Sequence, residues 1–136
     1  MIFIDTCVFI AYVNKRDINH DRAIELLEDI MRGKYGKAFT SDYVFDEAVT
    51  YALMKTKDIK KALNVGRLIL GDDKLPRFLE ILFVDKVIFN RAWELFLKYK
   101  KLSFTDCTSI ALMNEHEIKY IASFDSDFDG IVARIY

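Results

Sequence analysis

The chain has 136 residues, 52% of them hydrophobic, with a single Pro and five Gly; this is one domain's length, with enough apolar material for a core and no composition for a disordered linker. Lys and Arg number 20 against 21 Asp and Glu, giving a formal net charge of −1. That balance argues against a generic basic nucleic-acid binder but leaves room for a nuclease, because bound metal can supply the positive charge that phosphate needs.

In chain order, short apolar runs alternate with longer stretches of helical period, the pattern of a parallel sheet with crossover helices. Ile2-Phe3-Ile4 is a strand ending at Asp5, and residues 6–13, apolar on most sides, predict a buried helix. Over 19–32, Ala23, Ile24, Leu27, Ile30 and Met31 recur at helical spacing, and Gly33 and Gly36 follow. Ala38-Phe39-Thr40 is the second strand, and Ser41 caps a helix through about Lys55 whose apolar face carries Val44, Phe45, Ala48, Ala52 and Leu53. Asp58 opens a helix that Gly71 closes, and Phe78 to Val84 is the third strand. Residues 86–100 predict a helix with Ile88, Phe89, Ala92, Trp93 and Phe96 turned inward; Ser103 or Thr105 starts another, through about Glu115. Tyr120 to Phe124 is the fourth strand and residues 132–136 a short fifth. No apolar run approaches the ~20 residues of a membrane span. The start, Met1 to Asp5, lacks a basic leader region, so a cytoplasmic location is expected.

The acids fall at meaningful places on this map. Asp5 and Asp125 follow strands one and four, Asp106 lies in a first helical turn, and Glu47 lies about two turns into its helix. Ligands of open parallel sheets bind at the carboxyl ends of the strands, where the following helices begin. Asp5, Asp106 and Asp125 therefore converge by topology, and Glu47 joins them if its helix crosses the strand ends. Each acid alone has an ordinary explanation as a helix cap, a first-turn dipole acid, a salt-bridged Glu or a solvated turn. Together they repel one another unless a cation is present, and all-oxygen ligation suits Mg²⁺ or Mn²⁺. The run Asp125, Asp127, Asp129, Gly130 opens like an EF-hand loop, but its twelfth position is Tyr136 and not Glu. Cys7 and Cys107 have no zinc-type spacing and read as free, buried thiols beneath the acids. The lysine runs 55–61 and 98–101 read as solvated helix ends.

Phe3-Ile4-Asp5-Thr6, Glu47, Leu102-Ser103-Phe104-Thr105-Asp106 and Ser123-Phe124-Asp125-Ser126-Asp127-Phe128 occur in that order over the whole chain. In this arrangement the chain resembles the PIN-domain nucleases, and within them the VapC-type toxins. The resemblance implies an α/β fold, a three-layer α/β/α sandwich around a parallel five-stranded sheet, as a single domain over 1–136. It implies a metal-dependent endoribonuclease leaving a 5′-phosphate and a 3′-hydroxyl. Asp5, Glu47 and Asp106 look like the three core acids and Asp125 the fourth, with Asp127 its rival; Thr6, Ser103 and Thr105 look like supporting residues. The family often carries Ser where Cys7 stands, a departure expected to touch packing more than ligation. Asp46 looks like a surface bystander. The resemblance also implies an RNA substrate and an antitoxin protein as partners, and points to a homodimer. Its interface is expected on the apolar surface of helices 41–55 and 58–70. Rival readings are a housekeeping PIN nuclease of ribosomal RNA maturation, an inactive RNA-binding PIN scaffold, and a Mg²⁺-binding receiver-like signalling domain. The receiver is disfavoured because strand one is followed by a single acid and two acids lie on helices.

Overall fold

The apolar triplet Ile2-Phe3-Ile4 has no polar face to offer solvent, and it becomes the centre of the sheet. In the computed structural model, which describes residues 1–136, the strands are β1 (Ile2–Ile4), β2 (Ala38–Ser41), β3 (Leu79–Leu82), β4 (Tyr120–Ala122) and β5 (Ala133–Ile135). They form one sheet in the order β3-β2-β1-β4-β5, every pairing parallel. Parallel neighbours require crossover connections. These are α1 (Thr6–Val13), α2 (His20–Met31), α3 (Asp42–Thr56), α4 (Ile59–Leu70), α5 (Lys86–Lys98) and α6 (Phe104–Glu115). Strands covered on both faces lose the alternation of half-exposed strands, and all three residues of β1 are fully buried.

The helix boundaries follow from local chemistry. Ser41 Oγ accepts from Val44 N at 3.1 Å and starts α3; Asp58 and Asp85 cap α4 and α5 in the same way. Gly71, at φ +77°, closes α4 where any Cβ would stand 2.5 Å from Arg77 N, so only glycine fits.

From β1 the chain moves outward to β2 and β3 and then returns to β4 on the other side of β1. The order reverses between β1 and β4, and the carboxyl ends of these two strands make the crevice where such sheets bind ligands. Asp5 and Ser123 are the residues that follow those two ends.

Three packing expectations are corrected. The third strand is the edge of the sheet and runs only over Leu79–Leu82; Phe83, beyond it, is 72% exposed. Only Ile88 and Ala92 of α5 are buried, while Phe89, Trp93 and Phe96 face outward. The main neighbour of α5 is α6, and contact with one helix needs only a narrow stripe at i, i+4 spacing. In α2, Leu26 is buried and Met31 exposed, because the helix turns a slightly different face inward from the one the apolar count suggests.

Candidate active site

Asp5 leaves β1 in an extended conformation and caps α1, its Oδ1 accepting from Thr6 N at 2.8 Å. Its Oδ2 accepts from Ser123 Oγ at 2.7 Å and from Cys7 Sγ at 3.1 Å. The residue is 4% exposed. Burial pushes its carboxyl up to about 6; the bonds from Ser123 and Cys7 oppose this rise, and the nearby charge of Asp106 adds to it. Ser123 also accepts from Asp125 N at 3.0 Å, so one hydroxyl ties the ends of β1 and β4 together. Cys7 Sγ repeats the link by accepting from Phe124 N at 3.2 Å. Burial, then the charge of Asp5, pushes this thiol upward, so it serves as a neutral hydrogen-bond donor.

Glu47 stands on the half-buried side of α3, and Thr6 Oγ1 donates to its Oε2 at 2.5 Å. This bond fastens the start of α1 to the middle of α3. Burial raises the Glu47 carboxyl, the Thr6 bond lowers it, and the charges of Asp106 and Asp46 raise it further. Asp106 belongs to a capping box: its Oδ2 accepts from Ser103 N at 2.8 Å, and Ser103 Oγ accepts from Asp106 N at 3.1 Å. Burial raises the Asp106 carboxyl against the two Ser103 hydrogen bonds, with further repulsion from Asp125 and Asp127. Asp125 opens a single 3₁₀ turn, Ser126–Phe128, and accepts from Asp127 N at 2.8 Å. Asp106 is thus the common member, within electrostatic reach of Asp5, Glu47, Asp125 and Asp127.

These are the acids expected from the sequence, and the fold brings them to one side of the sheet. No three His, Cys, Asp or Glu side chains stand at spacing that would close directly on one metal ion. Each carboxylate is turned toward a protein donor: Glu47 to Thr6, Asp106 to Ser103, Asp125 to its own turn. The donor set fits Mg²⁺ or Mn²⁺ all the same. It is all-oxygen, mutually repelling and partly desolvated, and Mg²⁺ typically keeps several waters and takes only one or two carboxylates directly.

Two residues have a positioning role that the sequence did not assign. Ser123 opened a family motif with no role given to it and is a donor to Asp5, and Cys7 is a donor to Asp5 where only packing was expected. Thr105 departs the other way: its carbonyl accepts from Thr108 Oγ1 and Ser109 Oγ, while its own hydroxyl makes no hydrogen bond. Cys107 is fully buried and free, its thiol pushed up to about 11 by burial and then by Asp106. Asp46 is exposed, as expected.

Residues 2–133 match the family model of the PIN domain. A VapC ribonuclease of Archaeoglobus fulgidus is 28% identical over 133 residues, covering 92% of this chain and 77% of that protein. The 23S rRNA-specific endonuclease VapC20 of Mycobacterium tuberculosis is 28% identical over 132 residues, covering 96% of this chain and 93% of its own. The crystal structure of VapC20, described as a sarcin–ricin loop cleaving toxin, superposes with a TM-score of 0.80 at 26% identity, covering 94% of this chain and 92% of that one. VapBC2 from Rickettsia felis, solved with a DNA fragment from its promoter, shares the fold with a TM-score of 0.67 at 17% identity, covering 99% of this chain and 98% of that one. The chain belongs to the PIN-domain family.

Proposed function

We propose that this protein is a divalent-metal-dependent endoribonuclease acting in the cytoplasm, the toxin of a toxin–antitoxin pair. The observation that carries the chemistry is the placement of Asp106 in the field of Asp5, Glu47, Asp125 and Asp127, with Asp5 buried. Such a set is costly in isolation and is relieved by a cation. The RNA substrate and the toxin role rest on similarity to the VapC ribonuclease and VapC20.

Asp5, Glu47, Asp106 and Asp125 are the residues that would hold Mg²⁺ or Mn²⁺, one or two of them directly and the others through water, with Asp127 beside them. The bound ion supplies the Lewis acidity that lowers the pKa of water and offsets charge on the phosphate. Ser123 and Cys7 fix the Asp5 carboxylate, Thr6 fixes Glu47, and Ser103 fixes Asp106, so the oxygens are oriented before substrate arrives. Attack on the phosphodiester is in line and leaves a 5′-phosphate and a 3′-hydroxyl. Replacing Asp106 by Asn keeps volume and removes charge. We expect metal-dependent cleavage of RNA to fall by two or more orders of magnitude, since several kcal/mol of charge stabilisation is lost, with the circular dichroism spectrum unchanged. Cleavage at the parent rate would end the assignment.

The surface between α3 and α4 is the one we assign to an antitoxin segment. A groove of about 440 Å³ between α3 and α4 is lined by Phe45, Val49, Leu53, Ile59, Leu63 and Leu70, and several of these side chains are open to solvent. The rival role in ribosomal RNA maturation requires no antitoxin; a small DNA-binding protein encoded beside this gene distinguishes the two.

A further inference from the structure

Lysines in the first turn of a helix oppose the macrodipole, and carboxylates are the stabilising choice there. The N-terminal end of α4 has its acid at the cap, Asp58, yet carries Lys60 and Lys61 in its first turn. The residue before its cap, Lys57, is left-handed at φ +56°, a conformation usually taken by glycine or asparagine. A left-handed lysine followed by two first-turn lysines is a locally unfavourable choice, of the kind found where function outweighs stability.

That turn forms one wall of a cleft of about 830 Å³, closed on the other side by the loop that follows α1. Lys15, Arg16, Lys55 and Lys61 line it, and none of the four takes part in an ion pair. Its two carboxylates are engaged by backbone, Asp17 accepting from Asn19 N at 2.8 Å and Asp58 from Lys60 N at 2.9 Å. Four cations against two carboxylates leave the cleft a net charge of +2 on a protein whose net charge is −1.

Its position relative to the acids is set by two helices. Thr6 and Glu47 are hydrogen-bonded to each other at the acid site. The cleft lies at the other ends of the same helices, since Asn14 follows Thr6, and Lys55 follows Glu47, by eight residues, about 12 Å of helix in each case. A strand running parallel to α1 and α3 would pass from the acids toward the cations.

We infer that the Lys15–Arg16–Lys55–Lys61 cleft binds backbone phosphates of the RNA strand a few nucleotides from the scissile bond. The site is a phosphate-binding exosite, blind to base identity, that anchors a polyanion next to an acidic centre that repels it. This assignment rests on the ribonuclease reading above. Polyanions engaged by lysines release counterions, so affinity falls with salt in proportion to the contacts made.

The test uses full-length protein carrying Asp106→Asn to prevent turnover, with Mg²⁺ present, and compares it with the same protein carrying Lys15→Gln, Lys55→Gln and Lys61→Gln. All three lysines lack ion pairs, and losing Lys61 from a first turn offsets losing Lys55 from a last turn, so closely similar melting temperatures are expected. Binding of a labelled oligouridine is followed by fluorescence anisotropy across a salt series. Three lost phosphate contacts lower the slope of log affinity against log salt by about 2. A dinucleotide, too short to leave the acids, binds both proteins alike. An unchanged slope overturns the exosite, as does an equal loss for the dinucleotide. An unchanged oligouridine slope with weakened binding of polyglutamate reassigns the cleft to an acidic protein partner and overturns it too. Failure of the lysine-intact protein to bind oligouridine, together with failure of the wild type to cleave RNA, rejects instead the ribonuclease reading beneath it.

Discussion

Asp5 is the residue on which the site's electrostatics turn. Its carboxyl, ordinarily near 3.8, is raised to about 6 by burial. Between those values the folded protein holds a proton that the unfolded chain has released, so stability falls as pH rises through the window. The shift amounts to about 3 kcal/mol at most. In chelator the protein is expected to melt at a higher temperature at the acidic edge of this window than at neutral pH, and Mg²⁺ or Mn²⁺ should recover the difference at neutral pH. A melting temperature flat across the window in chelator contradicts the cost assigned to this carboxylate. Ser123 acts through Asp5. Ser123→Ala removes a donor to the charged form, costs about 1–3 kcal/mol, and should weaken metal binding by about 10–100-fold. Cys7→Ser retains a donor and should change little. Isothermal titration of Mn²⁺ into both variants separates them, and equal affinities would remove Ser123 from the site.

At the scale of elements, α6 shows how one local motif serves two purposes. Its capping box begins the helix and also holds the Asp106 carboxylate by Ser103 N. Ser103→Ala removes the hydroxyl that accepts from Asp106 N and costs about 1 kcal/mol of helix stability. Cleavage should fall by more than that loss explains, because the turn carrying Asp106 is loosened at the site. Activity assayed well below the melting temperature checks this, and full activity there would make the capping box purely structural. The same scale explains the misread of α5. Its periodicity contains two apolar stripes, and periodicity alone does not say which neighbour each will meet. Ile88 and Ala92 are buried, while Trp93 and Phe96 stack on each other at 5.7 Å near the surface.

At the scale of the molecule, apolar surface remains after the fold is complete. On α3 and α4, Val44, Leu68 and Ile69 are buried, but Tyr51, Met54, Ile59, Leu63 and Leu70 stay exposed. On α5, Val87, Phe89, Trp93, Phe96 and Leu97 do likewise. Large exposed apolar patches mark interfaces, and symmetric dimers are the commonest way of closing them. The sequence put the homodimer interface on helices 41–55 and 58–70; because the α5 aromatics expected inside are exposed instead, we expect the dimer to form through the α5 face, leaving the α3–α4 groove for an antitoxin segment. Light scattering should give about twice the 15.9 kDa of one chain, and Trp93→Glu should return it to monomer. A monomeric wild type at micromolar concentration counts against the dimer.

The division between sequence and tertiary structure follows from the range of the forces involved. The apolar triplet before Asp5, the caps at Ser41, Asp58 and Ser103, and the alternation of strand and helix are local, and each was legible residue by residue. With the rule that ligands gather at strand ends, that local reading put Asp5, Asp106 and Asp125 on one side of the sheet, and Glu47 with them only if its helix crossed the strand ends. What it could not supply were contacts between residues far apart in the chain. Ser123 and Cys7 meet Asp5 only because β4 returns beside β1, and Thr6 reaches Glu47 only because α1 packs on α3. The outward turn of Trp93 depends on α5 meeting α6 and not the sheet. The lysines at 55 and 61, read as a solvated helix end, share a cleft with Lys15 and Arg16 only after the loop following α1 folds against the start of α4. Backbone preferences and caps act within a few residues, whereas burial and charge depend on what the closed fold places next to each side chain.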